Sequence, residues 1–226
     1  MKKEIFERST GLLGEDNFNR LQDKVVAIFG LGGVGGTTLE ALARTGFQHF
    51  IIIDMDKVDP SNLNRQILYT SKDIGRNKVD AAKERILSIN KDADVQTFFG
   101  KAQDFEFNQP IDFIVDAIDD VEGKLFLLKK AQENNVPQIM SLGMANRFNP
   151  EQVRVSKLNQ TKNDPLAKKI RYTAKKEGLD LSLINVVISE ELPQKNGEKL
   201  YSTMMVPSSA GLVIAKYILN SIIDIK

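Results

Sequence analysis

A short apolar run followed at once by closely spaced glycines constrains this chain more than any other stretch. The run Val25–Phe29 is rich in β-branched residues and predicts a strand buried on both faces. Gly30, Gly32 and Gly35 then form G-x-G-x-x-G, and a helical pattern follows over Thr37–Arg44. Glycines at this spacing permit a tight turn and let a phosphate approach the N–H groups at a helix N-terminus. The stretch predicts a nucleotide site, and an ordinary glycine-rich turn is the alternative.

A second apolar run, Phe50–Ile53, ends in Asp54 and strengthens the nucleotide prediction. An acidic side chain about 20 residues beyond the glycines, at the carboxyl end of a strand, can accept hydrogen bonds from both ribose hydroxyls. The polar residues Asn62, Arg65 and Gln66 follow soon after that strand. Since open α/β sheets bind ligands at this edge, we expect these side chains at the site.

Strand and helix patterns alternate through residue 142, which predicts an α/β fold with a Rossmann-like, doubly wound, mostly parallel sheet. Further strands and helices are expected after residue 143. We predict one domain over residues 1–226, in which residues 1–145 form the nucleotide-binding core and residues 146–226 form a C-terminal extension on the substrate side. The remaining predicted elements are one or two short helices in residues 4–22, strands Val95–Phe99, Ile111–Ala117, Pro137–Leu142, Gln152–Leu158, Val186–Ser189 and Leu200–Val206, and helices Asn77–Asn90, Gly123–Asn135, Pro165–Lys176 and Ala210–Ile223.

Composition excludes several kinds of chemistry. The chain has no cysteine, so disulfides, thiolate zinc sites and thioester intermediates are excluded. Its formal net charge of +1 means that any contact with nucleic acid needs a local basic patch. No apolar segment follows the first lysines, so we expect a cytoplasmic protein. The apolar C-terminal run is interrupted by Lys216 and is shorter than the roughly 20 residues of a membrane span, so we expect a core helix and no membrane span.

Two cations and a carboxylate indicate which nucleotide reaction to expect. Lys78 falls in the first turn of a predicted helix, where a cation opposes the helix dipole. Its side chain is therefore either exposed to solvent or faces an anion that offsets this cost. Arg65 and Lys78 can stabilise charge that develops at a phosphate, and Asp119, after the fourth predicted strand, is a candidate magnesium ligand. This set favours adenylyl transfer from ATP with Mg²⁺ over hydride transfer by an NAD enzyme.

Four motifs together resemble the ThiF/MoeB/HesA superfamily, the bacterial relatives of ubiquitin-activating enzymes. They are GLGGVGG (30–36), IIIDMDKVDPSNLNRQ (51–66), IGRNKVDAAKERI (74–86) and DFIVDAIDD (112–120). The resemblance implies that an arginine, here Arg8, reaches the partner's ATP across a homodimer interface, and that Arg65 and Lys78 serve catalysis. The ATP phosphates would be lined by Gly30, Gly32, Gly33 and Gly35, the ribose held by Asp54, the triphosphate contacted by Asn62, Arg65, Gln66 and Lys78, and magnesium bound by Asp119.

Within that superfamily the chain most resembles the tRNA threonylcarbamoyladenosine dehydratases. The segments that carry this resemblance are ALARTG (41–46), IDMDKV (53–58), NPEQVRVSKL (149–158) and NDPLAKKIR (163–171). The resemblance implies ATP-dependent cyclisation of threonylcarbamoyladenosine-37 in tRNA. The partner would then be a tRNA carrying that nucleoside, and its phosphates could meet the cations Lys168, Lys169, Arg171, Lys175 and Lys176. A solvated helix face is the alternative for these five residues.

Family members often carry a cysteine in the last third, whereas this chain has Pro207–Gly211 near the corresponding region. A thioester-type step is therefore excluded here. The main alternative is an adenylyltransferase that activates the C-terminus of a ubiquitin-like sulfur-carrier protein, although such relatives usually hold zinc through paired C-x-x-C motifs. A non-catalytic ATP-binding module is a further alternative, and an NAD oxidoreductase ranks last.

Overall fold

The computed structural model describes residues 2–194, 197 and 199–223. Seven strands form one sheet in the order β3-β2-β1-β4-β5-β7-β6. The strands are β1 Val25–Phe29, β2 His49–Asp54, β3 Asp94–Phe99, β4 Phe113–Asp116, β5 Gln138–Ser141, β6 Val153–Lys157 and β7 Asn185–Ser189. The helices are α1 Lys2–Ile5, α2 Glu7–Leu13, α3 Glu15–Gln22, α4 Gly33–Thr45, α5 Lys78–Ile89, α6 Val121–Glu133, α7 Pro165–Lys176 and α8 Met205–Ile222.

The sheet has the doubly wound order that the alternating pattern predicts. β1 pairs in parallel with β2 on one side and with β4 on the other, so the strand order reverses between β1 and β4. Strands β4, β5 and β7 continue in parallel, and only β6 pairs antiparallel, with β7. The fold-class prediction is confirmed, and the strands that follow residue 145 extend the same sheet.

The central strands are apolar because helices cover both of their faces. All four residues of β4 are buried, as are the last four of β1, which is typical of parallel strands between two helical layers. One core cluster packs α4, α5 and α8 on one side of the sheet, and the others pack α6 with α7 and α6 with β1 and β4. The carboxyl edge of the sheet is left for loops.

Helix α8 is the core helix that the sequence predicted. Its side chains Val206, Ala210, Ile214 and Ile218 are fully buried, and it packs chiefly against α4. In the described part of the chain it is also the one helix long and apolar enough to cross a membrane, with 18 residues and a mean hydropathy of 1.2. Core helices of globular proteins pass the same test, and the buried stripe identifies α8 as one of them.

The predicted strand Leu200–Val206 is wrong. Residues 200–204 form no strand, and Met205 begins α8. Pro207 falls in the first turn of that helix, where its missing N–H leaves no intrahelical bond unmade. Leu200 and Met205 are exposed, so these apolar residues lie on the surface and do not form a buried face of the sheet.

Three helices begin earlier than the prediction by two residues or more. Helix α4 begins at Gly33 instead of Thr37, α6 at Val121 instead of Gly123, and α8 at Met205 instead of Ala210. Glycine has a low helix propensity, so the glycine-rich first turn of α4 carried no helical signal.

Candidate active site

A pocket of about 600 Å³ opens at the carboxyl ends of β1, β2 and β4. This is the edge where the strand order reverses and where open α/β sheets bind ligands. Most of the predicted nucleotide contacts share its wall, although they come from five separate segments. The predicted residues that line it are Gly30, Gly32, Gly33, Asp54, Asn62, Arg65, Gln66, Lys78 and Asp119.

The glycine turn leaves the N-terminus of α4 open to the pocket. Gly30 has a positive φ of 88°, and a Cβ there would lie 2.7 Å from the carbonyl oxygen of Ala117. At Gly32, the N-cap of α4, no side chain caps the helix, and a Cβ would meet only the side chain of Gln66 at 3.9 Å. Backbone N–H groups at such an end lack intrahelical partners and attract anions. The turn therefore has the form of a phosphate cradle.

Gly35 lies behind the pocket wall and is constrained by packing. It is buried and is not among the pocket-lining residues, and a Cβ there would collide with the carbonyl oxygen of Gly30. The missing side chain of Gly35 lets α4 pack closely on the turn that follows β1, and a contact between Gly35 and the phosphates stays a prediction.

Lys78 is buried and faces two carboxylates. Its Nζ lies 2.8 Å from Oδ2 of Asp56 and 3.9 Å from Oδ1 of Asp54. These two carboxylates offset the unfavourable position of a cation in the first turn of a helix. Asp54 accepts hydrogen bonds from the N–H groups of Leu31 (2.6 Å) and Asp56 (2.8 Å). Burial raises the pKa of Asp54, and the nearby Lys78 cation opposes that rise. The pocket wall thus carries the Asp54 carboxylate, fixed by hydrogen bonds, beside the Lys78 ammonium, fixed by its ion pair with Asp56.

Gln66 lies almost fully buried on the pocket wall with one side-chain atom unsatisfied. Its Oε1 has no hydrogen-bond partner among the described residues, although buried polar atoms are normally paired. Arg65, next to it, donates from Nη1 to the carbonyl of Ser61 (2.7 Å) and to Oδ1 of Asn64 (2.9 Å). Both side chains stand where a bound polar molecule could complete their hydrogen bonding.

Asp119 is an exposed carboxylate on the same wall. Its neighbour Asp120 is engaged as the N-cap of α6 and accepts hydrogen bonds from Glu122 (3.3 Å) and Gly123 (2.7 Å). Across residues 2–194, 197 and 199–223, no group of three His, Cys, Asp or Glu side chains could hold a metal ion. A single carboxylate fits a magnesium ion that takes its other ligands from water and phosphate oxygens.

Arg8 does not join this pocket. It lies exposed on α2, outside the residues that line the wall. The expectation that it reaches the ATP of a partner subunit stays a prediction.

Sequence reasoning missed a buried ion pair behind the wall. The Nζ of Lys124, on α6, lies 2.8 Å from Oδ1 of Asp116 and 2.8 Å from the carbonyl oxygen of Ser141. Both charged side chains are fully buried, and burial raises the pKa of Asp116. The available signal was a lysine directly before Leu125, within an apolar helix stripe. Lys101 and Gln103, which also line the pocket, were missed although they follow the carboxyl end of β3.

The whole chain is similar to several proteins of known name. The tRNA threonylcarbamoyladenosine dehydratase of Bacillus subtilis is 30% identical over 240 residues, covering 96% of this chain and 94% of that protein. The solved structure of the Escherichia coli tRNA N6-threonylcarbamoyladenosine dehydratase in complex with ATP superposes with a TM-score of 0.91 at 29% identity, covering 97% and 94% of the two chains.

Sequence similarity to a ubiquitin-like modifier-activating enzyme covers a smaller part of the chain. The ubiquitin-like modifier-activating enzyme 5 of Drosophila virilis is 32% identical over 135 residues, which are 53% of this chain and 34% of that protein. The ThiF family itself matches residues 6–176. On this match, which spans most of the sequence, the chain belongs to the ThiF family.

Proposed function

We propose that this protein is an ATP-dependent tRNA threonylcarbamoyladenosine dehydratase. One observation carries the proposal: a single pocket gathers the nucleotide contacts expected of a ThiF-type enzyme in a chain that aligns almost end to end with dehydratases of that name. The reaction would remove one water from the modified nucleoside. The substrate-side role of residues 146–226 and residence in the cytoplasm stay predictions.

The residues of the pocket wall would contact different parts of ATP according to their charge. The N-terminus of α4 at Gly32 and Gly33 would bind phosphate oxygens, and Asp54 would accept hydrogen bonds from the ribose hydroxyls. Lys78 and Arg65 would stabilise negative charge at the α-phosphate, and Gln66 would pair its unsatisfied amide with the ligand. Bound ATP supplies the adenylyl group that activates the threonylcarbamoyl carboxylate, so that its carbamoyl group can close a ring as AMP departs. No cysteine takes part.

Asp119 is the residue that we propose to hold Mg²⁺. Its exposed carboxylate on the pocket wall supports this role, because magnesium in nucleotide sites is usually bound by one or two carboxylates and phosphate oxygens. The ion would neutralise phosphate charge while Lys78 and Arg65 approach the nucleotide.

Arg8 and a homodimer form a separate part of the proposal. A mixture of Arg8→Ala and Asp119→Ala subunits should regain activity that neither variant has alone, because a hybrid dimer then contains one intact site. Failure of the mixture to regain activity would exclude a role for Arg8 across the interface.

The test is an incubation of the purified protein with Mg²⁺, ATP and tRNA that carries threonylcarbamoyladenosine. Nuclease digestion and mass spectrometry should show loss of one water from the nucleoside, and AMP and pyrophosphate should form in equal amounts. An incubation without ATP is the control. An unchanged nucleoside, together with ATP–pyrophosphate exchange that depends on a Gly-Gly-ended carrier protein, would instead favour the sulfur-carrier alternative.

A further inference from the structure

We propose that one exposed side of helix α7 is a docking surface for the phosphates of the substrate tRNA; this inference rests on the proposed function. The surface, called here the α7 basic face, consists of Lys168, Lys169, Tyr172, Lys175 and Lys176. All five side chains are exposed, and Tyr172 retains 74% of its surface.

The five residues form a continuous stripe. They stand at positions i, i+1, i+4, i+7 and i+8, which share one side of an α-helix. The opposite side of α7 is anchored in the core by Ala167, Ile170 and Ala174, all of them fully buried. The stripe therefore faces away from the protein and spans about 12 Å along the helix axis.

The charge of this stripe is uncompensated. Helix α7 contains no acidic residue, and none of its four exposed lysines makes an ion pair with any residue that the structure describes. Two cations on other helices, by contrast, are paired: Lys130 with Glu133 at 2.6 Å, and Arg44 with Glu40 at 2.8 Å. An ordinary solvated helix face carries both signs. Four unpaired lysines on one face instead favour a polyanionic partner.

Arg171 does not belong to the basic face, although the sequence grouped it with these lysines. Its Nη1 donates to the carbonyl oxygen of Thr161 at 2.9 Å and also to the hydroxyl of Thr161. Arg171 therefore ties α7 to the preceding turn.

The basic face begins at the same edge of the sheet as the pocket. Asp164, the N-cap of α7, accepts a hydrogen bond from the N–H of Gly143 at 3.0 Å. Gly143 follows β5, and β5 pairs with β4, whose carboxyl end leads to Asp119 on the pocket wall. A tRNA with its modified nucleoside at the pocket can thus extend its backbone towards α7.

Tyr172 favours RNA over an acidic protein as the partner. On the helix surface it lies three or four residues from each of the four lysines, so they surround it. Exposed aromatic rings among cations stack with unpaired bases, which tRNA loops present. Acidic polypeptides supply charge but no bases to stack.

The main test compares two variants with the same change of charge. In one, Lys168, Lys169, Lys175 and Lys176 are replaced by glutamine, which keeps a good helix propensity. In the control, Lys72, Lys83, Lys91 and Lys216 are replaced by glutamine; these four lie at other positions and do not line the pocket. Binding of fluorescent tRNA is measured by anisotropy over a series of salt concentrations, after circular dichroism has verified folding.

The logarithm of the binding constant falls linearly with the logarithm of the salt concentration, with a slope of about 0.7 to 0.9 per phosphate contact. We expect this slope to be shallower by about 3 in the α7 variant, which lacks four such contacts. The control should keep the slope of the parent. Tyr172→Ala should weaken binding by about tenfold, whereas Tyr172→Phe, which keeps the ring, should not. Equal slopes in both quadruple variants would overturn the proposal. Displacement of tRNA by polyglutamate at equal charge concentration as readily as by unlabelled tRNA would also overturn it.

Turnover separates this inference from the proposed function. If the parent converts the nucleoside, the α7 variant should show a raised KM for tRNA with unchanged kcat and unchanged KM for ATP. Conversion with parental KM in that variant would reject the surface and leave the function standing. If the parent binds tRNA but converts nothing, the function fails, and the salt slopes still decide the surface.

Discussion

Two lysines are buried among the described residues, and they differ in what lies next to them. Lys78 pairs with Asp56, whose side chain is 55% exposed, and all three of Lys78, Asp54 and Asp56 line the pocket. Lys124 pairs with Asp116 where neither side chain has any exposed surface, and its ammonium also donates to the carbonyl of Ser141. One pair is open to a ligand and the other is closed.

The difference separates a binding group from a structural one. A charge in a closed site depends entirely on its partner, because neither water nor ligand can replace it. A charge at a pocket wall can exchange a carboxylate for a phosphate, which is also anionic. We therefore expect Lys124 to support the fold and Lys78 to support the chemistry, and the predictions below test this division from the largest effect to the smallest.

Lys124→Met should lower the free energy of unfolding by about 3 to 5 kcal/mol, because it leaves the Asp116 carboxylate buried without its cation. Urea unfolding followed by circular dichroism measures the loss. The double variant Lys124→Met/Asp116→Asn should recover part of it, since the stranded charge is gone. A Lys124→Met protein as stable as the parent would show that the pair is not a structural one.

Lys78→Met should reduce kcat by about 10² to 10³, the usual cost of removing one group that stabilises transition-state charge. Initial rates of AMP formation with saturating tRNA and ATP provide the measurement. Lys72→Gln, which removes an exposed lysine outside the pocket, is the control and should keep the parental rate. Equal rates in Lys78→Met and the parent would remove Lys78 from the chemistry.

ATP should stabilise the parent more than the Lys78→Met variant, which lacks the lysine on the pocket wall. At an ATP concentration 100 times its Kd, the parent should gain about 2.7 kcal/mol of unfolding free energy. Lys78→Met should gain clearly less at the same concentration, whereas Lys124→Met, measured at low temperature, should keep most of the gain. Urea unfolding with and without Mg²⁺–ATP gives the values. A full gain in Lys78→Met would mean that the nucleotide does not contact this lysine.

The Asp54 carboxylate on the pocket wall should make the free energy of unfolding depend on pH. Because burial raises the folded-state pKa of Asp54, the folded protein holds that proton to a higher pH than the unfolded chain does. The free energy of unfolding should therefore fall, relative to Asp54→Asn, as pH rises from about 4 through the raised value, by at most about 1.4 kcal/mol per pH unit.

Urea unfolding of the parent and of Asp54→Asn at several pH values tests this dependence. Asp180→Asn is the matched control, because hydrogen bonds from Ser182 lower the pKa of Asp180 and the stability difference should then change with the opposite sign. A difference between the parent and Asp54→Asn that does not vary with pH would contradict the prediction.

Much of the architecture could be predicted because its signals are local. The period of apolar residues located β1, β2 and α5, and the pair Asp164-Pro165 marked the start of α7, where Asp164 accepts from the N–H of Ala167 at 2.9 Å. Caps, turns and periodicity depend on neighbours within a few residues. The prediction at Leu200–Val206 failed because most of its apolar side chains are exposed and the chain enters α8 at Met205, where Val206 is buried as part of the helix.

The chemistry of single side chains was less predictable, because burial depends on elements that are distant in sequence. Gly35 matched a phosphate motif, yet the carbonyl of Gly30 lies where its Cβ would be. Arg171 looked like one more surface cation until the turn at Thr161 provided its acceptors. The spacing of apolar residues does not predict which lysine side chains form ion pairs in the folded protein.

The sequence by itself determined the doubly wound fold, the glycine turn and the edge of the sheet at which the polar residues collect, because each follows from backbone geometry and apolar period over short stretches. Only the tertiary structure decided that Lys78 faces the pocket and that Lys124 is enclosed with Asp116 and Ser141. It also decided that the exposed lysines of α7 have no ion-pair partner among the described residues. Those outcomes depend on which atoms the packed strands and helices bring within hydrogen-bond distance, and residues far apart in the chain provide them.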